Sequence, residues 1–478
     1  MKFRSVAVLA ALLVSLSPGL TGQAPARPPA QPADAPYTMA LTGDSIITRR
    51  LSPYQEPAFL QMIDLIRNAD VAFTNLEMLF HDYETYAMSQ SGGTYMRAEP
   101  ALAKELAWAG FDLVARANNH TGDYAPAAMR LTTKYVAEAG LVGAGVGETL
   151  SEAREPHFVE TARARVALVA CASTFPEHSR AGDSRGSIPG RPGLSPLRFT
   201  TTYVTTAEGL AKLRDGAAAA GIGGRGGGGR GGGGGAAGAA APGGAPAQPQ
   251  ALTLFGQRVV VGDRPGVRTE PNKEDMEAIA AAVRSASKLA DYTIVTIHAH
   301  EGGQGGRLVP AEFLVTFARA MIDAGADVFV GHGPHVLRGI EIYKGKPILY
   351  SLGDFIFQNE TLQRLPSENY ESYDLGVGAH VSDFNDQRYS NDTRGFPADP
   401  PIWESVVAMP RFKGKSLVEL VLHPISLGFG KPPSQRGRPL LAEPELRKKI
   451  LDDLIKLSEP FGTKIENRNG VGYVVVGK

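Results

Sequence analysis

Short apolar runs alternate with amphipathic stretches along most of the chain, and the two kinds of segment differ in their hydrophobic period. Apolar or alternating runs predict β-strands, whereas apolar residues spaced three and four apart predict helices. The predicted strands are Tyr37–Thr42, Val71–Asn75, Phe111–Ala117, Val166–Cys171, Tyr292–His298, Val328–Val330, a strand inside Pro347–Phe357, Glu404–Ala408, Leu417–His423 and Gly472–Val476. The predicted helices are Pro57–Asn68, Glu99–Ala109, Ala125–Ala139, Glu274–Leu289, Pro310–Ala324 and Pro444–Leu457. Strand and helix in turn favour a layered α/β fold.

Two segments interrupt this alternation. Residues 179–256 are rich in Gly, Pro and Arg, and within them residues 221–244 are mostly glycine. Glycine-dominated sequence has little side-chain surface to bury, so we expect a surface insertion there. Residues 359–401 are polar and rich in Asp and Tyr, which predicts a second long loop. We expect one domain over residues 37–430, with a C-terminal helix and strand from residues 431–478 packed on it.

The first 26 residues have the pattern of a secretory signal peptide. The positively charged start MKFR is followed by an apolar run from Val6 to Leu16 and then by small residues. Residues 27–36 are rich in Pro and Ala and predict a linker. The apolar run is shorter than the ~20 residues of a membrane span, although an uncleaved segment would hold the protein at the membrane. We therefore expect an exported protein that is periplasmic, secreted or associated with the cell envelope.

The overall composition is that of a soluble globular protein without an attraction to nucleic acid. Hydrophobic residues make up 43% of the 478 residues and charged residues 21%, which suffices for a sizeable core. Lys plus Arg and Asp plus Glu number 49 each, so no net charge draws the chain to a polyanion. An anionic polymer would need a local binding patch. The single cysteine, Cys171, excludes an internal disulfide.

Residue types that bind metal ions stand at the ends of five predicted strands. They are Asp44 in MALTGD, Asn75 and Glu77 in VAFTNLE, Asn118, Asn119 and His120 in LVARANNH, His298 and His300 in TIVTIHAH, and His332 and His335 in VFVGHGPH. Singly, Asp44 also suits a turn or helix cap, Glu77 an exposed acid, and His298 a core histidine. Because α/β sheets place their sites at the carboxyl ends of strands, the coincidence of five such ends predicts one functional rim.

Carboxylate, imidazole and carboxamide groups together suit a pair of divalent ions. Such a pair lowers the pKa of a water between the ions and neutralises charge on a phosphoryl oxygen. Oxygen and nitrogen ligands without thiolate indicate Mn, Fe, Zn or Mg rather than a structural zinc site. We therefore expect two divalent metal ions as cofactors.

The motifs GDSI, ADVAFTNLE, GFDLVARANNHTGDY and AGADVFVGHGPHVLRGIEIYKGKPILYSLGDFIF resemble, in the same order, the blocks that define the poly-gamma-glutamate capsule synthesis (CapA-like) family. The resembling blocks are scattered over residues 37–357. That family is similar to calcineurin-like metallophosphatases. The resemblance therefore implies a metallophosphatase-like sandwich of two mixed β-sheets flanked by helices, with the Gly-rich stretch as a surface insertion.

The resemblance also implies a role for each residue at the rim. The implied metal ligands are Asp44, Glu77 in the place of a bridging aspartate, Asn119, His298, His332 and His335. His120 matches a histidine that assists the leaving group in the phosphatases, and so is the implied catalytic residue. The residues expected to support the ligands or to contact substrate are Asn75, Asn118, Asp123, His300, Arg338 and Asp354.

This sequence departs from the family pattern at several positions. Ile46 stands where ordinary phosphatases have a histidine ligand, so one ion would have fewer protein ligands. His300 follows His298-Ala299 where the family has an aromatic residue and glycine, and it is a further ligand, a substrate contact or, the interpretation we favour, a loop residue. Asp354 replaces an asparagine and adds negative charge. Arg338 could bind an anion, but a solvated salt bridge is the commoner role.

The first functional hypothesis is a metal-dependent hydrolase of a phosphate ester, acting in capsule or poly-gamma-glutamate biosynthesis or in cell-envelope polymer handling. Its substrate would be an anionic polymer or a phosphate ester. The second is a non-catalytic, metal-stabilised accessory protein of a polymer synthesis or export complex. The third, an exported nucleotidase, lacks support because no long separate substrate domain follows His335. Glu77, Asn119 and His120 together favour the enzyme, whereas Ile46 favours the accessory protein.

Overall fold

The computed structural model describes residues 34–222 and 250–476. The predicted signal peptide, most of the predicted linker and most of the glycine-rich stretch 221–244 lie outside the described residues. Within the described ranges, no helix has both the length and the apolar composition that crossing a membrane requires.

Ten strands form the larger of the two main sheets. In spatial order they are Ile465–Arg468, Val471–Val474, Ser416–Ser426, Glu404–Lys413, Tyr37–Ile46, Val71–Leu76, Leu113–Ala115 and Val142–Ala144, with Asp354–Phe357 paired to Tyr37–Ile46 and Leu440–Leu441 paired to Ser416–Ser426. The strands from Tyr37–Ile46 to Val142–Ala144 are parallel, whereas Glu404–Lys413 pairs with Tyr37–Ile46 in antiparallel direction. The sheet is therefore mixed, and its parallel strands end at one common edge.

Six strands form the second sheet, which is also mixed. In spatial order they are Ile340–Tyr343, Lys346–Leu349, Val328–His332, Tyr292–His298, Arg165–Ala172 and His157–Glu160. The four central strands are parallel, and the two edge strands are antiparallel to their neighbours. The carboxyl ends of Tyr292–His298 and Val328–His332 therefore lie side by side.

Successive side chains of a strand point to opposite sides of its sheet, so each sheet has one face toward the other sheet and one toward the helices. The two sheets pack against each other through their apolar inner faces. Leu41 and Phe73 of the larger sheet share one buried cluster with Ile294 and Val330 of the second sheet. Residues next to them along the chain point outward and pack beneath helices. This is the predicted sandwich of two mixed sheets flanked by helices, and that prediction is confirmed.

The described residues form ten α-helices, of which Pro57–Arg67 and Ala103–Ala109 pack on the outer face of the larger sheet and Lys273–Leu289 and Glu312–Asp323 on that of the second sheet. The ten helices are Pro57–Arg67, Ala103–Ala109, Ala125–Glu138, Leu150–Arg154, Ala207–Ala219, Lys273–Leu289, Glu312–Asp323, Ser367–Glu371, Val381–Tyr389 and Pro444–Ser458. Pro57 and Pro444 begin their helices, where a missing backbone N–H costs no intrahelical hydrogen bond. In the last helix, Ile450 and Leu454 are buried in the cluster between the sheets, so the C-terminal segment completes the core.

The described part of residues 179–256 is more regular than its composition indicates. A four-stranded sheet contains Ala251–Leu254, Gln257–Val261, Phe199–Thr205 and Gly266–Pro271. The run FTTTYVT has β-forming residues whose signal is diluted by the surrounding Gly and Arg. The Phe199 ring stacks on Phe313 with centroids 4.4 Å apart, which attaches this sheet to the sandwich. Two-stranded ladders join Leu79–Phe80 to Arg97–Ala98, Val146–Gly147 to Gly193–Leu194, and Gly302–Gly303 to Gly306–Pro310.

The polar segment 359–401 contains two short helices where the sequence predicts a loop. Phe384 and Tyr389 are buried, because the apolar face of the second helix packs inward. The Phe396 ring lies 5.7 Å from the His335 ring. The segment therefore forms one wall beside the predicted rim.

Candidate metal centre

Ligand-type residues from both sheets meet at one edge of the sandwich. In the larger sheet, Asp44 lies level with Asn75 and Asp354 of its two parallel neighbours. In the second sheet, His298 lies level with His332. Asp44 Oδ1 is 3.3 Å from His332 Nδ1 and 3.7 Å from His298 Nδ1. The carboxyl ends of strands from the two sheets therefore form a single site.

Glycines allow this close approach of the backbones. A Cβ atom at Gly43 would lie 1.8 Å from the oxygen of Gly353, and one at Gly333 would lie 2.9 Å from the nitrogen of Ala299. Gly333 also has φ +116°, a conformation that L residues rarely adopt. The Asp44 N–H donates to Gly353 O at 3.0 Å, and the Gly333 N–H donates to Asp44 Oδ2 at 2.9 Å. Gly43 and Gly333 thus allow the backbones to approach, and the hydrogen bonds with Gly353 and Gly333 fix the position of Asp44.

Hydrogen bonds determine which nitrogen His332 presents to the site. The Thr296 hydroxyl donates to Val330 O at 2.8 Å, so its oxygen accepts the 2.8 Å hydrogen bond from His332 Nε2–H. His332 Nδ1 then keeps its lone pair and faces Asp44 and His298, whose Nδ1 is 3.1 Å away. Asp44, His298 and His332 form one group of potential ligand atoms within 4.8 Å of one another.

Glu77 lies at the centre of the cluster. Its side chain is fully buried, and neither carboxylate oxygen has a hydrogen-bond partner among the described residues. Oε1 is 3.6 Å from His120 Nε2, 3.7 Å from His298 Nε2 and 4.0 Å from His335 Nε2. A buried carboxylate without donors is costly unless a cation compensates it. This geometry therefore fits a metal ion between Glu77 and the imidazoles.

His300 joins the cluster from the loop after Tyr292–His298. Its Nε2 is 2.9 Å from His298 Nε2, and Glu77, His298 and His300 form a second group of potential ligand atoms. The His300 N–H donates to Thr174 Oγ1 at 2.9 Å, which holds the loop against the neighbouring strand. The loop interpretation favoured from the sequence is corrected here, because the imidazole points into the cluster.

Arg338 supports the His300 loop from the protein interior. Its fully buried guanidinium donates to the carbonyl oxygens of Ala299, His300 and Glu301 at 3.3, 3.1 and 3.0 Å, and to Arg307 O at 2.8 Å. Burial lowers the pKa of Arg338 to about 10. The expectation of a solvated salt bridge is wrong, because these backbone carbonyls and not a carboxylate in solvent bind the guanidinium.

A third group combines three carboxylates with His335. Asp44, Glu77, His335 and Asp354 are all buried, with potential ligand atoms within 4.8 Å of one another. His335 Nδ1 is 2.8 Å from Asp354 Oδ1, and Asp354 Oδ2 has no hydrogen-bond partner in the described ranges. His335 has φ +56°, an unusual conformation for a residue with a side chain. Such strain is typical of positions that a site constrains.

His120 is oriented toward Glu77 by Asp123. His120 Nδ1–H donates to Asp123 Oδ2 at 2.7 Å, which leaves Nε2 facing the cluster. Asn119 Nδ2 donates to Gly92 O at 2.9 Å. Asn119 Oδ1 is buried and unpartnered within the part of the chain that the structure describes, so it is available to a cation. The arrangement offers an amide ligand beside a positioned imidazole.

Asn75 and Asn118 connect the ligand loops. Asn75 Nδ2 donates to Asp44 Oδ1 at 2.7 Å, and Asn118 Nδ2 donates to Leu76 O at 2.8 Å. Asn118 Oδ1 accepts the His120 N–H at 3.1 Å. Both amides therefore fix the neighbours of the cluster by hydrogen bonds.

Burial and mutual charge shift the pKa values of the carboxyl groups. Burial alone would raise the pKa of Asp44, but its contacts with His298 and then with His332 outweigh burial and hold this pKa well below the usual value. Burial, and then the negative charge of Asp44, raise the pKa of Glu77 well above its usual value. Burial raises the pKa of Asp354 to about 6. Carboxyl groups in such proximity do not ionise independently, so nearby cations stabilise them.

The pKa values of three histidines in the cluster shift in different directions. Burial lowers the pKa of His298 to about 4 and the pKa of His300 well below its usual value. Burial would also lower the pKa of His335, but the charges of Asp354 and Glu77 outweigh it and raise this pKa to about 10. Neutral imidazole is the form that binds metal, and an ion next to His335 would displace its proton.

The structure brings together every site residue named from the sequence, but the sequence reasoning missed two threonines. Thr296 sets the His332 tautomer, and Thr174 holds the His300 backbone. A threonine in or after a strand is ordinarily a β-forming residue, so its type carries no signal. The register between neighbouring strands is the information that would have identified them.

A family model described as "Bacterial capsule synthesis protein PGA_cap" matches residues 38–359, a span that contains all the candidate ligands. The "Uncharacterized protein y4sH" of Sinorhizobium fredii is 37% identical over 453 residues, which cover 92% of this chain and 93% of that protein. The "Capsule biosynthesis protein CapA" of Bacillus anthracis is 24% identical over 327 residues, 67% of this chain and 59% of that protein.

Among solved structures, a putative 5'-nucleotidase from Staphylococcus aureus, in complex with alpha-ketoglutarate, aligns with 87% of this chain and 58% of that chain. The sequence identity is 10% and the TM-score 0.33, so this likeness carries no argument about the site.

Proposed function

Because the chain belongs to the bacterial capsule synthesis protein family PGA_cap, we propose that its rim cluster is a two-ion centre that hydrolyses a phosphate ester in capsule or poly-gamma-glutamate biosynthesis or cell-envelope polymer handling. The ions proposed are divalent Mn, Fe, Zn or Mg. The substrate is an anionic polymer or a phosphate ester of the cell envelope, and the partner is a polymer synthesis complex.

One observation carries the proposal. The Glu77 carboxylate is buried without a hydrogen-bond donor among the described residues, while Nε2 atoms of His120, His298 and His335 lie 3.6 to 4.0 Å from its Oε1. A structural acid in a core would be paired with donors. The unpartnered oxygens of Glu77 support the proposal, because they would be available to bind cations.

Bound ions would supply an activated water and neutralise charge on the phosphoryl group. Asp44, Asn119, His298, His332 and His335 would hold the ions together with Glu77. Thr296 keeps the His332 lone pair turned toward the site. Asp44, Asn119, His332 and His335 are oriented by protein hydrogen bonds, so little reorganisation of these side chains would accompany substrate binding.

His120 is the proposed proton donor to the leaving oxygen. Asp123 accepts its Nδ1–H at 2.7 Å and thereby directs Nε2 toward the centre. This hydrogen bond holds the ring in the orientation from which Nε2 would donate a proton. One general acid contributes roughly 10²–10⁴-fold to the rate.

The test compares His120→Gln with wild type on a panel of phosphate monoesters and diesters, with each candidate metal. We expect unchanged metal content, determined by elemental analysis, and turnover lowered by roughly 10²–10⁴-fold. His423→Gln is the matched control, since His423 lies in strand Ser416–Ser426, pairs with Val407 and belongs to none of the groups of potential ligand atoms in the described residues. Equal metal loss and activity loss in His120→Gln would show that His120 is a ligand and not the acid.

The second candidate function is a non-catalytic accessory protein stabilised by metal. Ile46 favours it, because its side chain is fully buried in the core beneath the helices and provides no ligand. Wild-type protein that binds metal fully but hydrolyses none of the panel would support this alternative over the enzyme.

We also propose that the protein acts outside the cytoplasm, on the basis of the N-terminal sequence pattern. Fractionation of cells followed by N-terminal sequencing tests this. A mature end within the Ala- and Pro-rich stretch before Tyr37 is expected, and full-length protein confined to the cytosol would refute export.

A further inference from the structure

We propose that His300 and Asp354 are direct metal ligands, so that Glu77 joins two chemically unlike ion positions. The first position is nitrogen-rich and contains His298 and His300. The second is oxygen-rich and contains Asp44, Asp354 and His335. This inference rests on the two-ion centre of the proposed function and extends it to the identity of the ions.

The contact between His298 and His300 has the geometry of two ligands on one ion. Their Nε2 atoms are 2.9 Å apart. Two nitrogens each about 2.0–2.1 Å from a zinc ion, at angles between a right angle and a tetrahedral angle, are about 2.9–3.4 Å apart. Glu77 contributes a carboxylate oxygen to the same group. The three side chains therefore converge as first neighbours of a single cation.

The protein holds His300 in this position from two sides. Thr174 Oγ1 accepts its N–H at 2.9 Å, and Arg338 donates to its carbonyl oxygen at 3.1 Å. Because the buried guanidinium has its hydrogen bonds satisfied by these backbone carbonyls, it stabilises one conformation of the loop. The loop is thus organised to present the His300 imidazole to the cluster.

The oxygen-rich position depends on Asp354. Its Oδ1 binds His335 Nδ1, while its buried Oδ2 has no partner in residues 34–222 and 250–476. Asp354 lies level with Asp44 on the adjacent parallel strand, so the two carboxylates face the same space. With Glu77 they supply three carboxylates to one group, against a single imidazole. An asparagine would offer one neutral oxygen instead of this charge.

The two donor sets select different ions. Imidazole nitrogen suits Zn²⁺ and other late transition metals, whereas carboxylate oxygen suits Mn²⁺ and Mg²⁺. When Zn²⁺ and Mn²⁺ are offered together at limiting concentrations, we expect one of each per chain. His300 and Asp354 each belong to only one of the three groups of potential ligand atoms among the described residues, so the loss of either should affect mainly its own ion.

The experiment measures binding of Zn²⁺ and Mn²⁺ to metal-free wild type, His300→Asn and Asp354→Asn, by elemental analysis after equilibration and by electron paramagnetic resonance of bound Mn²⁺. Outer partners of a ligand typically change affinity by roughly 10–100-fold, so a direct ligand is indicated by a larger loss. We expect His300→Asn to lose more than about 100-fold in Zn²⁺ affinity and to keep Mn²⁺. Asp354→Asn should show the reverse.

Two controls match the substitutions in type. His423→Asn and Asp453→Asn replace the same residue types outside the cluster, in strand Ser416–Ser426 and helix Pro444–Ser458. Melting temperatures of the metal-free variants identify any unfolding, and Asp354→Ala then serves as a second variant without the carboxyl group.

The possible results separate this inference from the proposed function. Unchanged Zn²⁺ affinity in His300→Asn overturns the role of His300, even if the protein hydrolyses phosphate esters. Equal loss of both ions in each variant would refute the claim that the two ion positions differ chemically. Two identical ions bound to wild type from the Zn²⁺ and Mn²⁺ mixture would refute it as well. One Zn²⁺ and one Mn²⁺ without any hydrolysis supports the inference and refutes the enzyme.

Discussion

Replacing Glu77 with glutamine should stabilise the metal-free protein while destroying its metal binding. This reversal of sign follows from the surroundings of Glu77, whose buried oxygens find no donor in the described part of the chain. In the absence of ions, no hydrogen bond from the described residues to the carboxylate would be lost when an uncharged amide replaces it. With ions present, it is the residue common to the group that contains His300 and the group that contains Asp354.

The expected size of the gain comes from opposing electrostatic interactions. Like charges on Asp44 and Glu77, with oxygens within 4.8 Å, repel by about 3.5 kcal/mol at an effective dielectric constant of about 20. Protonated His335, with Nε2 4.0 Å from Glu77 Oε1, attracts it by about 4 kcal/mol on the same basis. The two nearly cancel, which leaves the desolvation of an unpaired group, about 1–3 kcal/mol. Burial and the charge of Asp44 raise the pKa of Glu77, so these charge interactions apply at a pH above that raised value, where Glu77 is ionised. Because a buried glutamine retains part of the desolvation cost, we expect a net gain of about 1–2 kcal/mol there and a smaller gain at lower pH.

The assay is thermal and urea denaturation of Glu77→Gln and wild type, first with chelator and then with saturating metal. Unfolding entropy of about 2.1 cal/mol/K per residue makes 1 kcal/mol roughly 1 °C in a chain of this size, so urea midpoints are the finer measure. Free metal at 100 times its Kd should stabilise wild type by about 2.7 kcal/mol per ion and the variant hardly at all.

Glu105→Gln is the matched control for Glu77→Gln. Glu105 is also buried, but it accepts hydrogen bonds from the backbone N–H groups of Leu51 and Ser52 at 2.9 and 2.7 Å. Its replacement should cost about 1.5–3 kcal/mol with or without metal. A metal-free Glu77→Gln protein that is less stable than wild type by a similar amount would refute the reasoning, as would an undiminished stabilisation by metal.

Three further substitutions test separate parts of the structure. Thr296→Val removes the acceptor of His332 Nε2–H and should weaken metal binding by roughly 10–100-fold in a chelator competition assay. Gly333→Ala places a side chain at φ +116° and should cost about 1–3 kcal/mol in urea denaturation. Burial would raise the pKa of Asp275, but the hydrogen bonds from Arg198 outweigh burial and lower this pKa. The stability that the pair contributes is therefore fully present above the usual pKa of 3.8 and is lost as the pH falls through the lowered pKa. Asp275→Asn should therefore be less stable than wild type by about 1.5–3 kcal/mol near neutral pH, and a difference that stays constant in acid would contradict the assignment.

The regular elements of the sandwich were predictable because each has a clear hydrophobic period. The strand Tyr292–His298 has the predicted bounds, and the helix predicted over Glu274–Leu289 begins at Lys273. The strand Ile340–Tyr343 was not predicted, because Glu341 and the turn residues Lys344 and Gly345 interrupt the apolar pattern of this hairpin. The strand Phe199–Thr205 was missed because neighbouring glycines dominated the composition of its segment. The average composition of a segment thus does not predict a short strand that is stabilised by pairing with strands distant in sequence.

The family resemblance and the convergence of strand ends on one rim were correctly predicted from the sequence. The orientation of each group was not, because it depends on partners distant in sequence. His332 takes its tautomer from Thr296, and His300 is held by Arg338, 38 residues away. No local pattern distinguishes an imidazole held in this way from a loop residue.

The rim is electrostatically costly in the absence of ions, and the rest of the fold offsets that cost. Asp44, Glu77 and Asp354 are fully buried within one small volume, whereas strands of both sheets bury continuous apolar surface between them. Loss of metal therefore removes compensation from the rim without removing contacts from the core. The ligands also connect the two sheets at one edge, as in the hydrogen bond from Gly333 to Asp44. Bound ions would therefore offset the repulsion between carboxylates at the edge where the two sheets meet. Metal binding and stability are thereby linked through the same few carboxylates that the proposed chemistry requires.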